Sequence, residues 1–181
     1  YVYPITLDPY PAKSAMLNGK LFIGPMGPTN TYAGSVVYYS GSNLNRVAAL
    51  PSTTMVPGVF EAHKNYLFMV DVKFSVTPSR IYWSTLLDGT LWSATSYIDV
   101  NPGDGEAITG LISHNGLLYI FKYNSIYYLS GDVFDASNPT YSLNKVINPQ
   151  KIGTYHGESI RAFQNKIVFL GQDGIYALDG V

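Results

Sequence analysis

The segment Asp99–Glu106 (DVNPGDGE) carries the side chains with the clearest chemical potential in this sequence. Its candidate ligands lie on a loop rich in glycine and proline: Asp99, Asn101, Asp104 and Glu106. Carboxylate and amide oxygens in alternating positions are typical of a calcium loop. However, Asp104 is out of step with the alternation, and an inter-strand turn that uses Pro-Gly and Asp-Gly explains the same residues. We therefore expect no cofactor, and we keep these four residues as the candidate calcium site.

Two histidines, His63 and His114, have the residue type for metal binding or acid–base catalysis. Both occupy the same position in an internal repeat, two residues before a turn residue, and Phe163 takes that position in another copy. A position that accepts phenylalanine indicates packing rather than chemistry, so we expect a structural role for both histidines.

The motif TLLDGTLW (Thr85–Trp92) is similar to the Asp-box turns of sialidase propellers, in which an aspartate, a glycine and an aromatic residue brace a hairpin. A sialidase-like site also needs three converging arginines. Arg46, Arg80 and Arg161 fall in three different repeats at positions that do not correspond. No nucleophile elbow, zinc-protease or phosphate-loop motif is present in the sequence. We therefore expect no catalytic residues and no enzymatic activity.

The composition excludes several classes of protein. The chain has 181 residues, enough for one ordinary domain, with 13% charged and 14% aromatic residues and a net charge of -1. This balance argues against disorder and against specific nucleic-acid binding, which needs a positive surface. No apolar run is long enough to cross a bilayer, so we expect no membrane partner. The sequence contains no cysteine and therefore no disulfide framework.

An internal repeat organises the whole chain. Four segments share a turn followed by a short apolar strand, and each is followed by a second strand. The aligned positions are Leu21, Leu67, Leu118 and Ile167 in the first strand, and Val37, Ile81, Ile126 and Ile175 in the second. Both series give a period of about 45–50 residues.

Each repeat also has an apolar run before the pair and, in three repeats, a looser one after it. The latter runs are Arg46–Leu50, Ser96–Val100 and Ser142–Ile147. No segment shows helical periodicity, and the runs are rich in β-branched and aromatic residues. The sequence therefore predicts an all-β fold, a β-propeller or partial propeller with four strands per blade. A β-sandwich is the alternative, although a sandwich needs no repeat.

The predicted module covers residues 1–181, with repeats at about 12–50, 57–100, 106–147 and 158–180. Residues 1–7 form a spare strand that belongs to no complete repeat. In a closed ring this strand would complete the last blade; in a larger propeller it would belong to a preceding blade. Two longer links inside the repeats, Gly24–Gly34 and Asp71–Ser79, are predicted as exposed loops and are candidate functional segments.

Motifs in Arg80–Gly180 resemble propeller-like structural proteins of tailed bacteriophage virions. They run in the order RIYWST, then GDGEAITGLISHNGLLYIFKYNSIYYLSG, then IGTYHGESIRAFQNKIVFLGQDGIYALDG. The resemblance implies a non-enzymatic virion component of the tail or head-to-tail region, packed against copies of itself and other tail proteins. The proteins of that family are longer than this chain, so we expect it to be a fragment or a domain of a larger protein.

The tyrosines favour a second function. The sequence has 16 of them, together with the two long loops, and exposed aromatic rings are suited to stacking on sugars. A carbohydrate-binding propeller that recognises a surface glycan is therefore the alternative to the virion component.

Overall fold

The computed structural model describes residues 13–24, 36–52, 55, 57–71, 77–132, 134, 140–147 and 151–179. These residues form four antiparallel sheets, in each of which the strands follow one another in chain order. The sheets are arranged as the four blades of a β-propeller, which confirms the predicted fold class. The predicted spare strand at residues 1–7 lies outside the described residues.

The strands are numbered in chain order, and the blades are numbered one to four. Blade one contains β1 (Lys13–Leu17), β2 (Lys20–Gly24), β3 (Val37–Tyr39) and β4 (Leu44–Arg46). Blade two contains β5 (Pro57–His63), β6 (Tyr66–Asp71), β7 (Arg80–Thr85) and β8 (Asp88–Asp99). Blade three contains β9 (Ile108–His114), β10 (Leu117–Lys122), β11 (Ile126–Ser130) and β12 (Ser142–Lys145). Among the described residues, blade four contains β13 (Arg161–Phe163), β14 (Lys166–Leu170) and β15 (Ile175–Asp179), preceded by a 3₁₀ helix (Gly157–Ser159).

Blade one differs from the sequence alignment in two details. Its fourth strand is β4, which begins earlier than the predicted run Arg46–Leu50, because Gly41 with a φ of 90° allows an early turn after β3. In addition, Val37 pairs with Ile23, the fourth residue of β2. Ile81 pairs with Val70, the fifth residue of β6. The predicted alignment of Val37 with Ile81 is therefore wrong by one residue.

Left-handed residues make the tight turn between the first two strands of every blade. Asn18, Asn65, Asn115 and Gln164 all have φ between 46° and 66°. Asparagine adopts this conformation at little cost, and glycine follows it in blades one and three. The same turn fixes the register of each hairpin, so residues at equal distances after it are equivalent in all four blades.

Apolar side chains fill the space between successive blades. We call the side of a blade that faces the next blade its forward face, and the opposite side its backward face. The three interfaces are centred on Phe22, Leu67 and Met69, on Phe68, Trp83 and Leu118, and on Tyr119, Phe121 and Ile167. Strand β6 is buried along its whole length because both of its faces are covered. No helix in the described part of the chain has the length and apolar character needed to span a membrane.

Candidate functional site

One end of the propeller collects most of the residues that the sequence analysis selected. Strands of a meander alternate in direction, so the links between second and third strands lie at the same end as the links between blades. We call this the loop end; its described parts include residues 99–107, 123–125 and 171–174. Gly24 and Asp71, the first residues of the two predicted loops Gly24–Gly34 and Asp71–Ser79, lie at this end, and most of the other loop residues lie outside the described part of the chain.

The ammonium group of Lys122 lies at the centre of the segment considered for calcium. Lys122 is the last residue of β10 and is fully buried. Its Nζ lies 2.6 and 2.7 Å from the two carboxylate oxygens of Asp104. Nζ also donates to Ser79 Oγ at 3.1 Å and to the carbonyl oxygens of Val100 at 3.0 Å and Asn101 at 3.4 Å. A buried cation needs such partners, so the loop surrounds a protein ammonium group with oxygen atoms.

The other predicted calcium ligands have separate partners. Asp99 accepts two hydrogen bonds of 2.8 Å from Arg80, in the same blade. Glu106 accepts hydrogen bonds from Asn124 Nδ2 at 2.6 Å and from Ser125 Oγ at 3.1 Å. Throughout the described ranges, no three histidine, aspartate or glutamate side chains form a group that could hold a metal ion. The structure therefore does not bring the carboxylates of the candidate calcium site together around one point.

The electrostatics of Asp104 reflect this arrangement. Partial burial acts to raise the pKa of its carboxyl group, but hydrogen bonds from Lys122, from the Glu106 amide and from Asn101 outweigh burial. The pKa of Asp104 is consequently lowered, and its carboxylate remains charged beside the ammonium group. Sequence analysis missed Lys122, although a lysine that ends the apolar run LLYIFK was a usable signal, because a charge in a buried strand requires a partner.

Hydrogen bonds continue from this cluster across the loop end to blade four. Gln172 Nε2 donates to Asn124 Oδ1 at 2.7 Å, and Asn124 in turn donates to Glu106. The amide of Thr154 donates to the carbonyl oxygen of Lys122 at 3.0 Å. Blades two, three and four are thus joined at the loop end by one polar network.

Aromatic side chains lie beside this network. The rings of Tyr123 and Tyr155 are in contact, and Tyr155 is exposed. Hydrogen bonding with Tyr123 is the main cause that raises the pKa of Tyr155 to about 12. Tyr176 donates to Asp173 at 2.5 Å and lines a cleft of about 90 Å³ between blades three and four. The exposed ring of Tyr155 next to amide groups is a surface on which a sugar could stack.

The two histidines lie between blades, away from the loop end. His63 is buried; its Nδ1 lies 2.7 Å from Ser113 Oγ, and the Ser113 amide donates to Glu61. Burial, followed by the nearby positive charge of Lys64, lowers the pKa of His63 to about 4. Burial also raises the pKa of Glu61. His114 is likewise buried, and the Nε2 atoms of both histidines are buried without a hydrogen-bond partner.

The Asp-box-like motif forms a local turn at the start of β8. Asp88 Oδ1 accepts hydrogen bonds from the Thr90 amide at 2.9 Å and hydroxyl at 2.7 Å, and Trp92 Nε1 donates to the Gly89 carbonyl oxygen at 2.8 Å. These bonds hold the backbone of the turn. The three arginines considered with this motif lie on different blades: Arg46 on blade one, Arg80 on blade two and Arg161 on blade four.

The first and last blades each have one apolar face that the described residues leave exposed. The backward face of blade one consists of Ser14, Met16, Leu21, Ile23, Val37, Tyr39, Leu44 and Arg46. The forward face of blade four consists of Arg161, Phe163, Lys166, Val168, Leu170, Ile175, Ala177 and Asp179. We call these two surfaces the terminal faces. Ile175 is 78% exposed and Phe163 is 63% exposed.

Sequence reasoning did not find the terminal faces, because the run KIVFL in β14 has the same apolar character as the covered strands. An ion pair of 3.2 Å links Lys13 of blade one to Glu158 of the 3₁₀ helix before blade four. Despite this contact, the terminal faces are not buried against each other.

Comparison with known proteins supports the fold. No protein-family model matches the sequence, and no curated protein matches it. Among solved structures, the computationally designed Ika4 protein matches 94% of this chain over 93% of its own length, with 9% identity and a TM-score of 0.54. The extracellular domain of BT4673 from B. thetaiotaomicron matches 93% of this chain, with 14% identity and a TM-score of 0.57. Kluyveromyces lactis Hsv2 matches 93% of it, with 13% identity and a TM-score of 0.50.

The matched lengths of these structures differ. This chain spans 21% of the BT4673 chain and 45% of Hsv2, but nearly the whole of Ika4. At such low identity the likeness concerns the propeller-like fold alone.

Proposed function

We propose that this chain is a non-enzymatic structural component of a tailed-bacteriophage virion, in the tail or head-to-tail region, that assembles with copies of itself and with other tail proteins. The pair of apolar terminal faces is the observation that carries this proposal, because large exposed apolar patches mark protein interfaces. The resemblance of Arg80–Gly180 to virion proteins supports the location in the virion.

The state of the charged groups supports a structural role. At the loop end, Asp104 is paired with Lys122 and Asp99 with Arg80, in contacts that hold loops in place. His63 has a pKa of about 4 and is therefore neutral at pH 7. These groups contribute to folding and packing, in keeping with a module that is rigid and inert.

Quantitative mass spectrometry of phage particles from the source of this sequence tests the virion proposal. Particles should be purified by density gradient and washed in high salt, so that loosely adsorbed proteins are removed. We expect peptides of this chain in a fixed molar ratio to the other tail proteins, as for an integral part of the particle. Absence from washed particles would overturn the proposal.

The Tyr123–Tyr155 pair and the neighbouring amides favour a second candidate function, recognition of a surface glycan at the loop end. A glycan array with the purified chain tests it. We expect binding that is lost in Tyr155→Ala and retained in Tyr39→Ala, which removes an exposed tyrosine outside the loop end. Equal loss in both variants, or no binding by the unaltered chain, would exclude this candidate.

A further inference from the structure

The terminal faces are the two halves of an interface that the chain already forms three times. Between blades one and two, two and three, and three and four, the forward face of one blade packs on the backward face of the next. Within the described residues, the forward face of blade four and the backward face of blade one have no such partner. Each of these two faces thus corresponds to a surface that is buried elsewhere in the chain.

We propose that the forward face of blade four packs against the backward face of blade one in a second copy of this chain. The inference rests on the proposed self-assembly, and it adds which two surfaces meet and in which orientation. Because the two surfaces differ, the contact is head to tail, and it produces a ring or a filament according to the rotation between copies.

The repeat register identifies the occupant. Val168 and Ile175 in blade four are equivalent to Phe68 and Ile81 in blade two, which pack against the backward face of blade three. Leu21 in blade one is equivalent to Leu67, which packs against the forward face of blade one. The forward face of blade four is therefore matched to the backward face of another blade. Blade one of a second copy supplies such a face.

The terminal faces carry four charged residues: Arg161, Lys166 and Asp179 on blade four, and Arg46 on blade one. Lys166 and Asp179 form an ion pair of 2.7 Å on blade four, at the end of the face opposite the loop end. The loop-end half of the same face carries Leu170 and Ile175. Apolar residues with few charges are typical of the centre of an interface.

The described residues do not cover these faces. The ion pair between Lys13 and Glu158 joins the first strand of blade one to the 3₁₀ helix before blade four, yet Ile175 remains 78% exposed. Both partners of that ion pair are partly exposed, so it offers little resistance to a second copy that separates the blades.

Analytical ultracentrifugation of the purified chain, loaded at about 1 to about 100 µM, tests the contact because self-association depends on protein concentration. We expect reversible association that Ile175→Asp weakens at least tenfold, because a carboxylate would be buried in the contact. Ile147→Asp is the matched control, because Ile147 is 98% exposed and lies outside both faces. Circular dichroism verifies that both variants are folded. A strictly monomeric chain, or equal effects of the two variants, would overturn the proposal.

Cysteine cross-linking tests the polarity, since the sequence contains no cysteine of its own. A mixture of Ile175→Cys and Ile23→Cys chains should give a disulfide-linked heterodimer under mild oxidation, because both residues lie in the loop-end half of their faces, whereas each variant alone should remain largely unlinked. Linked homodimers of Ile175→Cys would contradict the head-to-tail contact. Closure within single chains that carry both substitutions, without linked dimers, would show that the chain covers its own faces and would also refute the proposal.

These results are separable from the virion experiment. Absence from phage particles would remove the proposed location but leave association of the purified chain intact. A monomeric purified chain would remove the blade contact but leave the mass-spectrometric result unaffected.

Discussion

Blade two, inside the stack, and blade four, at its end, have the same strand pattern but different surroundings. Ile81 and Ile175 occupy equivalent positions, since each pairs with the last apolar residue of the preceding strand. Ile81 is fully buried and Ile175 is 78% exposed. The difference arises from the next blade, which is present after blade two and missing, among the described residues, after blade four. Burial in a repeat protein is therefore decided by the position of the blade as well as by its own sequence.

Two lysines, one buried in blade three and one exposed on blade four, extend this comparison to charged groups. Of the predicted losses of stability, that of the buried lysine is the largest. Lys122→Met should destabilise the folded chain by about 3–5 kcal/mol, because the Asp104 carboxylate and the loop carbonyl groups lose a buried cation. Lys166→Met, which removes an exposed ion pair on blade four, should cost about 0–1 kcal/mol. Urea unfolding followed by fluorescence measures both. Similar losses in the two variants would contradict the structural role assigned to Lys122.

The two isoleucines provide the direct test of the comparison. Ile81→Ala should cost about 2–5 kcal/mol of unfolding free energy, since it leaves a cavity between blades two and three. Ile175→Ala should change the stability of the dilute monomer by less than about 0.5 kcal/mol. Thermal unfolding at low protein concentration gives both values. At high protein concentration, the difference in stability between Ile81→Ala and Ile175→Ala should become smaller if the blade contact between copies forms.

Blades two and four also differ in a titratable group, since His63 of blade two is replaced by Phe163 at the equivalent position of blade four. The contribution of this position to stability should therefore depend on pH only in blade two. Native His63, with a pKa of about 4, stays neutral between pH 6.5 and 4, whereas the unfolded chain takes up a proton in this range. Stability should therefore fall on acidification through this window, by about 3 kcal/mol from this residue. His63→Phe copies the residue of blade four and should remove that part of the pH dependence. Urea midpoints measured at pH 7 and pH 4.5 test this, with His156→Phe as an exposed control.

The fold could be predicted because its signals are local. Asparagine-containing turns and apolar runs recur in every repeat, and a period of about 45–50 residues leaves room for four short strands. Blade one departs most from the alignment, since a one-residue offset at Val37 is invisible without knowledge of the pairing with Ile23.

The candidate site was only partly predictable because it depends on contacts between distant residues. The sequence places the oxygen-bearing residues of Asp99–Glu106 on one loop, but Lys122 meets Asp104 only when β10 packs beside that loop. Likewise, nothing local distinguishes Val168 from Phe68, since exposure depends on the neighbour across the interface.

The uniform pairing of forward and backward faces has a consequence for the ancestry of such chains. An in-frame duplication or deletion of one repeat in the gene would leave the same two surfaces at the ends, because every blade supplies one of each. Such a gene can change its number of blades without first evolving a new kind of surface.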